Sequence, residues 1–167
     1  MTKIKTKRER VKFASDNVTG ACPEVLNAVL KANEDDKTPY GNDELSKNLQ
    51  NKFSEIFEKE VVVFPTASGT AANALALSTM TPSFGNIYCH RLSHINVDEC
   101  GAPEFYSGGA KLVNLDGNNG KIIAEELDSN ISGKGVVHHT QPSSVSITQL
   151  CETGVAYNLD EIKKISE

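Results

Sequence analysis

The segment 61–75 constrains the fold more than any other part of the chain. Its β-branched, apolar beginning (61–64) predicts a buried strand, and the Ala- and Leu-rich residues after it predict a tightly packed helix over 70–80. Between them, where a helix exposes its first unsatisfied backbone N–H groups, lies a turn formed by Ser68, Gly69 and Thr70. This turn predicts a phosphate-binding site, which we call the phosphate cup. It combines two hydroxyls, a glycine that permits close approach and the positive end of a helix. The alternative is an ordinary turn in which Ser68 only caps the helix.

Length and charge limit the classes of protein that this chain can belong to. With 167 residues it suits one domain that buries a core, and its net charge of -5 argues against a surface that coats nucleic acid. It shows no apolar run near the roughly 20 residues of a membrane span, and no signal-peptide apolar region. We expect a cytoplasmic protein with no membrane partner.

The first twelve residues are basic and are expected to form a flexible tail, with 13–167 as the domain. An arm for nucleic acid or another anionic partner is the alternative, but the tail has no aromatic residue for base stacking. The four cysteines form no CxxC pair, which argues against zinc knuckles and thioredoxin-type chemistry. We expect reduced thiols, mostly buried: Cys22, Cys89, Cys100 and Cys151.

The rest of the chain alternates helical and strand patterns. One helix is predicted from Pro23, and a second over 45–57 with Asn42 or Asp43 as its cap. Strands are predicted at 87–89, 111–115, 136–137 and 145–148, and helices at 125–129 and 159–165. This order indicates an α/β fold with a mainly parallel sheet. Ligands of such sheets bind outside the carboxyl ends of the strands, where we expect the Ser68 turn, the segment 90–99 and the residues after Val145.

The histidines are the other candidates for chemistry. His90, His94 and Asp98 have helical metal-ligand spacing, but His90 directly follows a predicted strand, so we expect no metal. His94 could instead lay its ring on an aromatic cofactor, with Glu99 or a backbone group fixing its tautomer. His138 and its neighbour end a predicted strand, so one of the two rings should face the site edge. For each of these histidines the alternative is a surface or strand-capping residue.

Several separated motifs, taken in order, resemble the threonine aldolase/β-eliminating lyase family. They are Ser15-Asp16-Asn17-Val18-Thr19-Gly20, Tyr40-Gly41, Ser68-Gly69-Thr70, Ser93-His94-Ile95, the stretch 99–105 and His138. The stretch 99–105 is especially similar to the low-specificity L-threonine aldolases. The resemblance implies the first portion of the large domain of a pyridoxal-phosphate enzyme of fold type I, a mainly parallel sheet flanked by helices.

The same resemblance implies roles for single residues. Ser68, Gly69 and Thr70 would hold the cofactor phosphate, and His94 would stack on the pyridine ring and transfer a proton or position a water. Ser15 would bind the substrate carboxylate, and His138 would lie near the substrate hydroxyl. Tyr40 would enter the active site of a neighbouring subunit, which implies a homo-oligomer.

The implied activity is a lyase reaction that cleaves a β-hydroxy-α-amino acid such as threonine into glycine and an aldehyde. In the family, the Schiff-base lysine, the aspartate that faces the pyridine nitrogen and the carboxylate-binding arginines come after a point equivalent to Glu167. We therefore expect the chain to be the N-terminal half of such an enzyme and to be inactive alone. The alternatives are a non-catalytic phosphate-binding or interaction fragment of a split or truncated enzyme, and a β-eliminating amino-acid lyase.

Overall fold

The computed structural model describes residues 18–167, which divide into two units, one ending at Val63 and one beginning at Phe64. The basic tail and Ser15 lie outside the described residues. Both described units are α-helical or α/β, and no helix within 18–167 combines the length and the apolar character that crossing a membrane requires.

The first unit contains two helices, α1 (Pro23–Ala32) and α2 (Glu44–Ile56). Proline at the first helical turn begins α1, as predicted. Asp43 caps α2, because its side chain accepts from the backbone N–H of Ser46 at 2.9 Å. Both helices are thus confirmed, and their starts follow from local signals in the sequence.

The predicted strand over 61–64 is wrong. The backbone there is extended, but Val63 exchanges two hydrogen bonds with the side-chain amide of Gln50, at 2.9 and 3.0 Å, rather than with a strand. The Val61 N–H likewise donates to the Ser54 hydroxyl of α2 at 3.2 Å. Val62 and Phe64 are 71% and 73% exposed. β-Branched residues favour an extended backbone, but only a neighbouring strand makes it part of a sheet.

The second unit is built on a three-stranded, all-parallel sheet with the order β2-β1-β3. Every residue of the central strand β1 (Gly85–His90) is buried, as is usual for a strand covered on both faces. The strand β2 (Lys111–Leu115) has the predicted bounds, and the third strand is β3 (Gln141–Ser146). The fold class, α/β with a parallel sheet flanked by helices, is confirmed.

Two strand predictions in the second half are wrong in position. The run 136–137 lies in a turn, because the left-handed Gly133 and Gly135 turn the chain around the side chain of Gln141. The strand predicted at 145–148 begins earlier, at Gln141, and its register shifts by one residue where it passes Pro142. Proline and a bulge are compatible with an edge strand, although its polar beginning carries no strand pattern.

Helices and short turns cover both faces of this sheet. The helices are α3 (Gly69–Met80), α4 (His94–Val97), α5 (Ala102–Tyr106), α6 (Ala124–Asn130) and α7 (Leu159–Ser166), and a 3₁₀ turn spans Asn118–Gly120. Alternate residues of β1 point to opposite faces. Ile87 and Cys89 pack with Leu77 of α3 and Ile95 of α4, whereas Tyr88 packs with Leu127 of α6. Helix α3 and the start of α4 therefore pack on the same face of the sheet.

Candidate functional site

The N-terminus of α3 presents a group of unused hydrogen-bond donors. Ser68 has an extended backbone, and its hydroxyl oxygen accepts from the Ala71 N–H at 3.1 Å, so it caps the helix as predicted. Within 18–167 the backbone N–H groups of Gly69 and Thr70 donate to no acceptor. No atom lies within 4 Å of the position that a Cβ on Gly69 would occupy. A ligand can therefore approach these donors closely.

This donor set suits a phosphate. The two free N–H groups stand at the positive end of a helix of 12 residues, and the Ser68 and Thr70 hydroxyls flank them. The Ser68 hydroxyl uses a lone pair for the cap and keeps its own hydrogen for a further acceptor. Capping and anion binding are therefore compatible in this turn.

His94, the first residue of α4, is tied to α3 through a buried carboxylate. Its Nδ1 lies 2.8 Å from Glu99 Oε1, and the same oxygen accepts from Asn73 Nδ2 at 2.7 Å. The Glu99 side chain is 0% exposed, whereas that of His94 is 47% exposed. Thr70 and Asn73 are three residues apart on α3 and lie on neighbouring positions of its surface. The Asn73–Glu99–His94 chain thus brings the histidine to the first turns of the helix that carries the phosphate cup.

The hydrogen bond to Glu99 raises the pKa of His94 above its ordinary value, and partial burial opposes this rise. The negative charges of Glu99, Glu152 and Asp98 also favour the protonated ring. The Nε2 atom has no hydrogen-bond partner within the described part of the chain. The half-exposed ring therefore has a face and one nitrogen available to a ligand.

His90 is a structural residue at the end of β1. It is 4% exposed, its Nδ1 accepts from the Leu92 N–H at 3.1 Å, and its Nε2 lies 3.2 Å from the Gly117 carbonyl oxygen. These two partners require the neutral form with the proton on Nε2. Both ring nitrogens are occupied, and no cluster of three or more metal-ligating side chains occurs in 18–167.

The residues after β3 line a small cavity at the carboxyl edge of the sheet, together with His90 and Ser93. Its volume is about 10 Å³, room for roughly one water molecule. Cys151 and Tyr157 close it, and burial raises the pKa of both side chains. The residues that line this cavity are therefore packed closely, and the cavity has no room for a ligand larger than water.

His138 lies away from these groups. It is exposed in the turn before β3, and β3 begins beside Gly85, the first residue of β1. His138 therefore stands at the amino edge of the sheet, with its ring edge-on to that of His139 at 4.8 Å. The prediction that His138 ends a strand is wrong, because the glycines at 133 and 135 form a turn there instead. The proximity of His138 to a substrate hydroxyl stays a prediction.

Tyr40 belongs to the first unit, where it is 97% exposed with a left-handed backbone, followed by Gly41 with φ 75°. Its role toward a neighbouring subunit stays a prediction, as does that of Ser15 outside the described residues.

The sequence reasoning missed Asn73. The available signal was an amide side chain inside a helix that is otherwise mostly Ala and Leu, one turn after the Ser-Gly-Thr motif. The sequence is compatible with either Glu99 or a backbone group as the partner of His94, and the structure identifies Glu99.

Comparison with known proteins gives a consistent result over most of the chain. The model of the β-eliminating lyase family matches residues 12–167. Low specificity L-threonine aldolases from Pseudomonas sp. (strain NCIMB 10558) and Pseudomonas aeruginosa are 40% and 38% identical over 154 residues, 92% of this chain. A threonine aldolase structure from Leishmania major superimposes with a TM-score of 0.82 at 25% identity, over 89% of this chain. The chain spans 44% of the length of the two Pseudomonas relatives and 43% of the Leishmania chain.

Proposed function

Because the chain belongs to the β-eliminating lyase family, we propose that it forms part of a pyridoxal-phosphate-dependent lyase that cleaves β-hydroxy-α-amino acids. Threonine, cleaved to glycine and acetaldehyde, is the proposed substrate. Two Pseudomonas relatives and one Leishmania relative that are threonine aldolases support the substrate class. The proposal also includes a homo-oligomer in the cytoplasm, with Tyr40 contributed across a subunit interface and Ser15 at the substrate carboxylate.

The observation that carries the proposal is the link from the phosphate cup to the histidine. Asn73 and Glu99 hold His94 beside the first turns of α3, whose free N–H groups suit a phosphate. The Gly69 and Thr70 amides and the Thr70 hydroxyl would hold the phosphate, and the exposed face of His94 would pack on the pyridine ring. When bound, pyridoxal phosphate supplies the electron sink for the negative charge left at the substrate Cα. His94 Nε2 would hold a water or take a proton during cleavage.

The phosphate cup can be tested in the chain itself by titration with pyridoxal phosphate, read from the NMR signals of the Gly69 and Thr70 amides. We expect Thr70→Val, which removes one hydroxyl without changing the shape, to weaken binding by roughly 10- to 150-fold, since a hydrogen bond to a charged group contributes about 1.5–3 kcal/mol. Thr79→Val is the matched control on the same helix, because its hydroxyl bonds to the Ala76 carbonyl. Equal binding of pyridoxal without its phosphate would contradict the proposed cup.

The activity can be tested with a chimera in which this chain replaces the matching segment of the Pseudomonas aeruginosa relative. We expect release of acetaldehyde and glycine from threonine. Pyruvate and ammonia from another amino acid, without acetaldehyde, would favour the β-eliminating alternative. Phosphate binding with neither reaction would favour a non-catalytic fragment.

A further inference from the structure

Two hydrogen bonds from different elements converge on one atom of Glu99. Asn73 Nδ2 on α3 and His94 Nδ1 on α4 both lie within 2.8 Å of Oε1. The carboxylate is buried, and its other oxygen, Oε2, has no partner within the described residues. The orientation of the histidine therefore depends on a single oxygen that α3 also holds.

The direction of each hydrogen bond follows from the chemistry of these groups. The Nδ2 atom of an asparagine only donates, so the Glu99 atom that faces it must be an acceptor. An ionised carboxylate has no proton to donate, so His94 Nδ1 must carry the hydrogen. In the neutral ring this leaves Nε2 without a proton.

We propose that Asn73 and Glu99 are positioning residues, which hold the neutral His94 ring as its Nδ1–H tautomer and leave Nε2 as the outward acceptor. In the proposed lyase, a bare Nε2 can accept a proton or a hydrogen bond from a water or hydroxyl group. The inference rests on the proposed function only for the identity of the group that Nε2 contacts. The tautomer itself depends on contacts within the chain.

Because both hydrogen bonds share one atom of residue 99, substitutions can exchange the donor and acceptor roles in both bonds together. In Glu99→Gln, the Asn73 donor should keep the amide oxygen of the new side chain facing both partners, so His94 Nδ1 stays protonated. In Asn73→Asp/Glu99→Gln, the aspartate accepts, so the amide nitrogen should turn toward it and toward His94. Nδ1 must then accept, and the proton should move to Nε2.

The measurement is a nitrogen-resolved NMR spectrum of the histidine rings of the 167-residue chain, without cofactor, at a pH above the ring titration. A His94→Gln variant assigns the signals of this ring. We expect the Nδ1–H form in the parent and in Glu99→Gln, and mainly the Nε2–H form in the double variant. The tautomer ratio should change by roughly tenfold or more.

Asn96→Asp/Glu99→Gln is the matched control. It adds a carboxylate to the same helix as His94 and should leave the Nδ1–H form. Within residues 18–167, Asn96 Nδ2 donates only to the exposed Arg91 carbonyl. A double variant with an unchanged tautomer would overturn the proposal, as would a control that also changes it.

If the added aspartate unfolds the chain, Asn73→Ala/Glu99→Gln supplies the same information. Without a donor on α3 the amide can face His94 either way, so we expect a mixture of both tautomers. A pure Nδ1–H form would refute the role of Asn73. The tautomer is measured without cofactor or substrate. Failure of the proposed lyase activity would therefore leave the tautomer result unaffected, and an unchanged tautomer would not contradict the lyase activity.

Discussion

Replacing Tyr157 with phenylalanine should destabilise the second unit through one lost hydrogen bond. The Tyr157 side chain is buried, and its hydroxyl oxygen accepts from the Ile122 N–H at 2.6 Å. Ile122 is 1% exposed, so bulk solvent does not reach its N–H. The ring itself, and the two hydrogen bonds of 2.7 Å between Gln149 and the Tyr157 backbone, are kept in the variant.

The expected cost is about 1–3 kcal/mol, the usual penalty for a buried donor left without a partner. With a urea dependence of about 2 kcal/mol per molar, the unfolding midpoint should fall by roughly 0.5–1.5 M. Urea unfolding followed by circular dichroism measures the midpoint. Hydrogen exchange of the Ile122 amide reports the site directly, and it should accelerate in the variant.

Tyr106→Phe is the matched control, because that side chain belongs to the same unit and is 66% exposed. We expect it to change the free energy of unfolding by less than about 0.5 kcal/mol. If Tyr157→Phe costs no more than this control, or if Ile122 exchange is unchanged, the Tyr157 hydroxyl is not a stabilising acceptor for the Ile122 N–H.

Three further predictions concern the candidate site. Ser68→Ala should destabilise α3 by about 1 kcal/mol and Ser68→Gly by only a few tenths, because glycine tolerates the cap position; equal thermal unfolding of the two variants would contradict the capping role. Because Glu99 raises the pKa of His94, the stabilisation from this pair is complete below the ordinary value of 6.5 and is lost as the pH rises through the folded value. The free energy of unfolding should therefore fall over that range in the parent and less steeply in Glu99→Gln, as urea unfolding at a series of pH values can show. Pyridoxal phosphate should bind the 167-residue chain reversibly, without a borohydride-reducible lysine adduct, because the proposed phosphate site at Ser68, Gly69 and Thr70 offers amides and hydroxyls and no lysine. A stoichiometric adduct found by mass spectrometry would refute this expectation.

The helix starts could be predicted from the sequence because their signals are local. The Asp43 carboxylate and the Ser68 hydroxyl each reach a backbone N–H three residues ahead, so the residues that decide the cap are adjacent in the chain. The strand 111–115 was predicted with its observed bounds for a similar reason, since its apolar run is short and is bounded by turn residues. Together with the alternation of helices and strands, these signals were sufficient for the α/β class.

The tertiary structure decided the pairings between distant residues. Whether the extended run near Val63 joins a sheet depends on its partners, and these are side chains of α2 rather than a strand. The start of β3 depends on hydrogen bonding to β1, more than fifty residues earlier in the chain. Asn73 and Glu99 are 26 residues apart, and no periodicity connects them. Local propensity acts over a few residues, whereas a hydrogen bond across the fold exists only once both elements are packed. For this reason the sequence alone determined most of the elements and the candidate Ser-Gly-Thr motif. Only the packed fold joined His94 to α3.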